Sequence, residues 1–293
     1  MTDGVRLILG DCLDVLRTLP AGSVDAVVTD PPYPYVDRPY GRWDEAEWRA
    51  LIDPVIEECR RLLQQRGSMM LVLQPNSEKV GKLRPWLWRF LADWSGRWNL
   101  VQDAWWWNTS AMPLGGATQG RLMRPSLKAC VWLGPPDCHR DQSAVLLDES
   151  ASNRRDRLAG DLPDRSDPSR KRSETEGPRD RMSRLRTSLV DRGGATPFNV
   201  LPIGSDGRWV GDPQGRHPAS TPLALCRWWV RYLCPAGGTV LDPFAGSGTV
   251  PLAALKEGRR GVGVERVPEY YQIAERRVAA ELAKAPLFQG ETA

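Results

Sequence analysis

The stretch GGTVLDPFAGSGTVPLAALKEGRRGVGVE, residues 237–265, decides the fold. Thr239 to Leu241 reads as a short apolar strand, and it ends in an acid, Asp242. The turn Ala245-Gly246-Ser247-Gly248 follows, and Thr249 to Glu257 then reads as a helix. Gly261 to Glu265 is a second strand, again with an acid at its end. Glycines let a backbone come close to a ligand, and a helix N-terminus offers free N–H groups and the positive end of its dipole. An acid at the end of the next strand can accept both hydroxyls of a ribose. The turn is not a phosphate-binding P-loop, since no Gly-Lys-Ser/Thr follows, and it lacks the third glycine of the dinucleotide fingerprint. An acid before the turn repels a pyrophosphate but suits an amino group. Nucleoside plus amino acid describes S-adenosylmethionine.

Working outward, strands and helices alternate. Arg6 to Leu9, Val24 to Thr29, Met69 to Leu73, Leu100 to Trp107 and Ala129 to Leu133 read as strands. Asp11 to Leu19, the run from Trp48 to Leu63, Trp86 to Trp94, Thr221 to Cys234 and Pro268 to Ala283 read as helices. Gly67 is expected to end the second helix, and Pro222 to sit in the first turn of the fourth. Between about Cys138 and Gly194 the chain is dominated by Arg, Asp, Ser, Glu, Pro and Gly, with few large apolar residues. Such a segment buries too little area to offset its ordering entropy. It reads either as a solvated linker or as an arginine-rich segment that follows a phosphate backbone. The expected organisation is one catalytic domain from 1–137 and 195–285, a charged insertion at 138–194 and a tail at 286–293.

The 293 residues are enough to bury a core, and 41% apolar with 26% charged is a globular mixture. No apolar run reaches the roughly 18 residues of a membrane span, and the N-terminus does not read as a signal peptide. The net charge of +4 is compatible with nucleic acid without demanding it. Six scattered cysteines suggest reduced thiols in a cytoplasmic protein. Cys130, Cys138 and His139 lack a second close pair, so no metal is expected. Most of the thirteen tryptophans are assigned to the core, and Trp105 to Trp107 to core or cleft wall.

One further stretch, VDAVVTDPPYPY at residues 24–35, places Asp30, Pro31, Pro32 and Tyr33 at the end of an apolar strand. DPPY there, with DPFAGSGT at Asp242 to Thr249, resembles the DNA amino-methyltransferases, which modify the exocyclic amine of adenine or cytosine. DPPY precedes the glycine turn, the order of the circularly permuted beta group of that family. The resemblance covers residues 6–35 and 197–281, and more weakly about 100–133. It implies a Rossmann-like S-adenosylmethionine-dependent methyltransferase fold, α/β, with a mixed, mostly parallel sheet and helices on both faces. It implies that Asp242 and the turn Phe244, Ala245, Gly246, Ser247 and Gly248, with Thr249, hold the methionine part of S-adenosylmethionine. Glu265 would bind the ribose hydroxyls, and Asp11 and Cys12 would sit by the cofactor adenine. His217 opens the segment leading to the cofactor-side helix. Asp30, counted with both the cofactor and the catalytic residues, and the Pro31 carbonyl would accept hydrogen bonds from the target amine. Pro32 stiffens the rim, and Tyr33 would stack on the flipped base.

DPPY favours N6 of adenine, with N4 of cytosine as the runner-up. DNA is the expected partner, and the family leaves room for a homodimer and a cognate restriction endonuclease in a prokaryotic or phage-encoded, DNA-associated setting. An RNA or protein amine methyltransferase is disfavoured by the motif order. Two departures stand out: HPASTP carries Thr221 where the family usually has Lys, and RLMRPSLKACVWL carries Lys128 where an acid is common. They motivate the opposing hypothesis of a catalytically silent module that binds cofactor and DNA. Tyr35 is left as a second cleft wall or a loop residue.

Overall fold

The computed structural model describes residues 4–37, 41–111, 123, 125–147, 195–206 and 221–284. His217, most of the charged insertion and the predicted tail lie outside them. The chain divides into one unit of Met1–Arg140 with Asn199–Ala293 and a second of Asp141–Phe198. The described part of the second unit has a 3-10 turn at Ser143–Val145 and a bridge between Leu147 and Ala195.

The first unit runs β1 (Val5–Leu9), α1 (Cys12–Thr18), β2 (Val24–Thr29), α2 (Glu45–Leu62), β3 (Leu63–Leu73), β4 (Ser77–Lys79), β5 (Lys82–Leu83) and α3 (Trp86–Arg97). It continues with β6 (Leu100–Trp107), β7 (Leu127–Leu133), β8 (Val200–Pro202), α4 (Leu223–Leu233), β9 (Thr239–Asp242), α5 (Thr249–Lys256), β10 (Arg260–Glu265) and α6 (Pro268–Leu282). Eight strands form one sheet in the order β1-β10-β9-β2-β3-β7-β6-β8. Neighbours are parallel except where β7 pairs antiparallel with β3 and β6. The expected mixed, mostly parallel α/β sheet is the one found.

Strand parity explains the two cores. Val27 of β2 and Met69 and Leu71 of β3 face one side, where α1, α2 and α3 pack through Leu16, Ile52, Ile56, Trp86 and Phe90. Ala26, Val28, Met70 and Val72 face the other, against Leu225, Trp229 and Val230 of α4 and Ala253 and Ala254 of α5. Burial on both faces is why the central strands read as continuous apolar runs rather than alternating ones. Helix α2 begins with a capping box, in which Asp44 and Glu47 each accept the other's backbone N–H at 2.9 Å.

Several boundaries differ from the sequence reading. Helix α2 ends before Gly67, with the Leu63 N–H on the Cys59 carbonyl, and β3 runs on directly from Leu63. Gly67 therefore lies inside a strand, where a Cβ would stand 2.9 Å from the Asp25 carbonyl oxygen. Close strand approach, not helix termination, is what needs a glycine there. Pro222 precedes α4 as its N-cap rather than sitting in its first turn. The hairpin β4–β5 and the short β8 had no legible hydrophobic pattern. Trp107, expected in core or wall, is 46% exposed, whereas Trp106 is buried.

The topology fixes where a ligand goes. From β9 the chain crosses through α5 to β10 on one side, and from β2 it crosses through α2 to β3 on the other. Between β9 and β2 the direction of winding reverses, and a crevice opens beyond the carboxyl ends of those two strands. Asp30 follows β2 and Asp242 ends β9, so residues far apart in the chain meet at that switch point.

Candidate active site

One cavity of about 190 Å³ lies at the switch point, lined by Asp11, Cys12, Asp30, Pro31, Pro32, Tyr33, Asp242, Phe244, Ala245, Gly246, Ser247, Thr249 and Glu265. Of the sequence-predicted residues with described positions, only Gly248 is not in its wall.

The glycine turn is built by packing as well as by flexibility. Gly246 has φ +53° and Gly248 φ +75°, values that side chains with a Cβ rarely adopt. A Cβ on Gly248 would stand 2.7 Å from the Ala274 Cβ of α6, so the turn leans directly on that helix. Glu265 clamps the turn from below: its two carboxylate oxygens accept the Gly246 and Val267 N–H groups, each at 2.8 Å. Burial raises its pKa above the ordinary carboxylate value despite those bonds. Each oxygen keeps a lone pair for a further donor.

Arg277 of α6 was not singled out from the sequence. Its guanidinium donates to the Ser247 carbonyl at 2.6 Å, to Ser247 Oγ at 2.9 Å and to Thr249 Oγ1 at 3.0 Å. It belongs to an amphipathic helix whose one other arginine, the adjacent Arg276, is exposed, so no sequence signal separates it. Replacing Arg277 with Met should destabilise the fold by about 3 kcal/mol, because a carbonyl bonded by a charged donor is left unmet. Urea unfolding checks this, and Arg277→Lys should recover part of the loss.

Asp242 sits at the floor, 3% exposed. Its Oδ1 accepts from Thr29 Oγ1 at 2.7 Å and from the Phe244 N–H at 3.0 Å. The Thr29 bond ties the ends of β2 and β9 together across the switch point. Desolvation, and to a lesser degree the charges of Asp30 and Glu265, push the Asp242 pKa up to about 7. Asp11 caps α1 through the Leu13 N–H at 3.0 Å. The Cys12 thiol is pushed up to about 12, chiefly by burial, and is therefore no nucleophile at neutral pH.

Across the cavity, Tyr33 donates its hydroxyl to Asp30 Oδ1, and Thr221 donates its hydroxyl to Asp30 Oδ2. Lys128 Nζ lies 3.6 Å from Asp30 Oδ2. Both sequence departures thus converge on one carboxylate: Thr221 bonds it directly, and strand β7 brings a cation beside it. The rim is held from behind, since the Trp48 indole N–H donates to the Pro32 carbonyl and the Asn76 amide to the Pro34 carbonyl, each at 2.7 Å. Among the described residues no hydrogen bond is made to the Pro31 carbonyl. Tyr35 does not line the cavity; it has φ +62°, the one positive value among described non-glycine residues, and the Arg84 guanidinium stacks 4.5 Å from its ring centroid.

The donor set fits S-adenosylmethionine. A buried carboxylate at the floor suits an ammonium, a strand-end carboxylate with spare lone pairs suits two hydroxyls, and apolar walls such as Leu51 and Val264 suit an adenine ring. The model for the DNA methylase family (N6_N4_Mtase) matches residues 24–276. The type II methyltransferase M.ScaI of Streptomyces caespitosus is 25% identical over 286 residues, covering 96% of this chain and 83% of that protein. Among solved structures, the PvuII DNA methyltransferase (cytosine-N4-specific) superposes with a TM-score of 0.69 at 20% identity, covering 94% of this chain and 87% of the other. The M1.HpyAVI–SAM complex gives 0.56 at 18% identity, covering 94% and 98%. The chain belongs to the N6/N4 DNA methylase family, the DNA amino-methyltransferases.

Proposed function

We propose that this chain methylates the N6 amine of adenine in DNA, with S-adenosylmethionine as the methyl donor. The observation that carries this reading is the meeting, in one cavity, of the Asp30 rim with the Asp242–Glu265 cradle. Asp242 and the glycine turn would hold the amino-acid part of the donor, Glu265 its ribose hydroxyls, and Asp11 with Cys12 would border its adenine. When bound, S-adenosylmethionine supplies an electrophilic methyl group.

The residues of the rim act on the amine. Its lone pair is delocalised into the base ring, which makes it a poor nucleophile. Asp30 and the Pro31 carbonyl accept its N–H bonds, draw the nitrogen toward a tetrahedral arrangement and stabilise the positive charge that develops there. The bond from Trp48 to Pro32 fixes the rim that aims that carbonyl, so the geometry is set before the base arrives. Tyr33, oriented by its bond to Asp30, offers its face to a base turned out of the duplex.

Adenine is preferred because the motif begins with Asp30 rather than with the serine commoner in the cytosine-N4 group. N4 of cytosine is the second reading: the same acceptors suit that amine, and the PvuII enzyme of like fold is named cytosine-N4-specific. The test is incubation with DNA and labelled donor, followed by digestion and nucleoside analysis. N6-methyladenine is expected; N4-methylcytosine alone would refute the adenine assignment, and no product from any DNA would favour the silent module. DNA is the partner in this reading, and modified-site mapping in expressing cells, with and without a neighbouring endonuclease, tests a role in restriction-modification.

A further inference from the structure

Strand β7 brings into the cleft a cation that the mechanism above leaves unused. Lys128 Nζ lies 3.6 Å from Asp30 Oδ2 and 3.3 Å from Tyr33 Oη, and its side chain is 17% exposed. It stands 4.9 Å from the ring centroid of Trp106, whose indole N–H is fixed to the Ile203 carbonyl at 2.7 Å. The pairing of β6 with β7 sets Trp106 opposite Lys128. Gln74, one residue past the Leu73–Ala129 pair, lines the same cavity.

Seen from the cavity, Asp30 presents an acceptor and Lys128 a donor, side by side. A base with an amine next to an unprotonated ring nitrogen presents a donor and an acceptor in the matching order. Adenine does so with N6 and N1, and cytosine with N4 and N3. On this Watson–Crick edge guanine and thymine instead carry a protonated ring nitrogen, a donor that meets the ammonium head-on. We propose that Lys128 reads this ring nitrogen: it donates a hydrogen bond to the acceptor beside the target amine, and so determines which flipped bases are admitted. The Asp30 carboxylate, the Tyr33 hydroxyl and the Trp106 face hold the ammonium in place before any base enters. An arriving base then exchanges one contact of an already ordered cation, which spares the ordering cost of binding. The Asp30 charge beside the ammonium offsets its repulsion of the positive charge that develops on the amine. The inference rests on amine methylation, but not on the choice between adenine and cytosine.

The test uses duplexes carrying the mapped target site, in which the target adenine is replaced by 1-deazaadenine. If the product is N4-methylcytosine, 3-deazacytosine takes its place. The replacement turns the ring nitrogen into C–H and keeps the amine. Wild type should lose about 10- to 100-fold in kcat/KM on the deaza duplex, the size of a hydrogen bond to a charged group. Lys128→Met, slow on both duplexes, should lose less than about threefold on the swap, because the two deletions remove one contact. Cofactor affinity and Tm of Lys128→Met report its fold. A wild type indifferent to the swap overturns the proposal, as does a Lys128→Met enzyme that loses the full factor again. Sensitivity that persists in Lys128→Met and vanishes in Gln74→Ala would make Gln74 the reader and end the proposal. The same comparison read as equilibrium duplex affinity needs no turnover. Absence of any methylated site refutes the methylation reading at the mapping step, whereas a mapped site whose deaza swap has no Lys128-dependent effect refutes this inference alone.

Discussion

Asp30→Asn is expected to lower kcat by about 100- to 1000-fold, the scale seen when one preorganised polar group is removed from a charge-developing site. The change keeps the shape of the side chain and an oxygen able to accept the Tyr33 or Thr221 hydroxyl, both of which bond Asp30 now. It removes the negative charge that faces the amine and the partner that Lys128 has at 3.6 Å. Cofactor affinity should change less than tenfold, because the Asp242–Glu265 cradle is untouched. Single-turnover methylation and equilibrium cofactor binding, measured on the same preparation, separate the two effects. An Asp30→Asn enzyme as fast as wild type would remove Asp30 from the chemistry. A comparable loss of cofactor binding would move its main role to the donor side.

Asp242→Asn should act in opposite directions on function and on stability. The folded-state pKa of Asp242 is about 7, raised from 3.8 mainly by burial. Between those values the folded protein holds a proton that the unfolded chain has released, so stability falls as pH rises through this window. Below about pH 4 the carboxyl carries no such penalty in either state; above about pH 7 the penalty is fully present, with three pKa units at about 1.4 kcal/mol each setting an upper bound near 4 kcal/mol. Asparagine cannot ionise, and its carbonyl can still accept from Thr29 and from the Phe244 N–H, as Oδ1 does at 2.7 and 3.0 Å. The variant should therefore unfold at higher temperature than wild type at pH 8, with the gain disappearing toward pH 4. Its affinity for S-adenosylmethionine should fall by about 10- to 100-fold or more, through loss of a charge-assisted hydrogen bond to the ammonium. In wild type, binding should weaken about tenfold per unit as pH drops below 7, and calorimetry in buffers of different ionisation heat should show proton release. An Asp242→Asn protein less stable than wild type at pH 8, or pH-independent binding, would contradict this account.

Much of the site was legible because its chemistry is local in sequence. An apolar strand ending in Asp, a glycine turn and a helix N-terminus form one contiguous segment, so Asp242 and Gly246 to Gly248 carry their own context. DPPY does the same at Asp30 to Tyr33. Arg277 and Trp48 were not legible. Each sits on an amphipathic helix where its neighbours are ordinary, and each acts on a backbone carbonyl of another segment, Ser247 or Pro32. Lys128 and Thr221 were visible only as departures. The sequence carries no sign that β7 runs antiparallel beside β3 and delivers Lys128 to the carboxylate that Thr221 also bonds.

By itself the sequence determined the α/β alternation, the strand-end acids and the order of the two motifs, because hydrophobic period and turn chemistry act over a few residues. Only the tertiary structure decided that β2 and β9 are neighbours, that Thr29 locks Asp242 across that seam, and that one buried carboxylate is left near neutrality there. Those facts depend on which strands pair and how far water is excluded between them. Both are set by the packing of the whole sheet rather than by any stretch of chain.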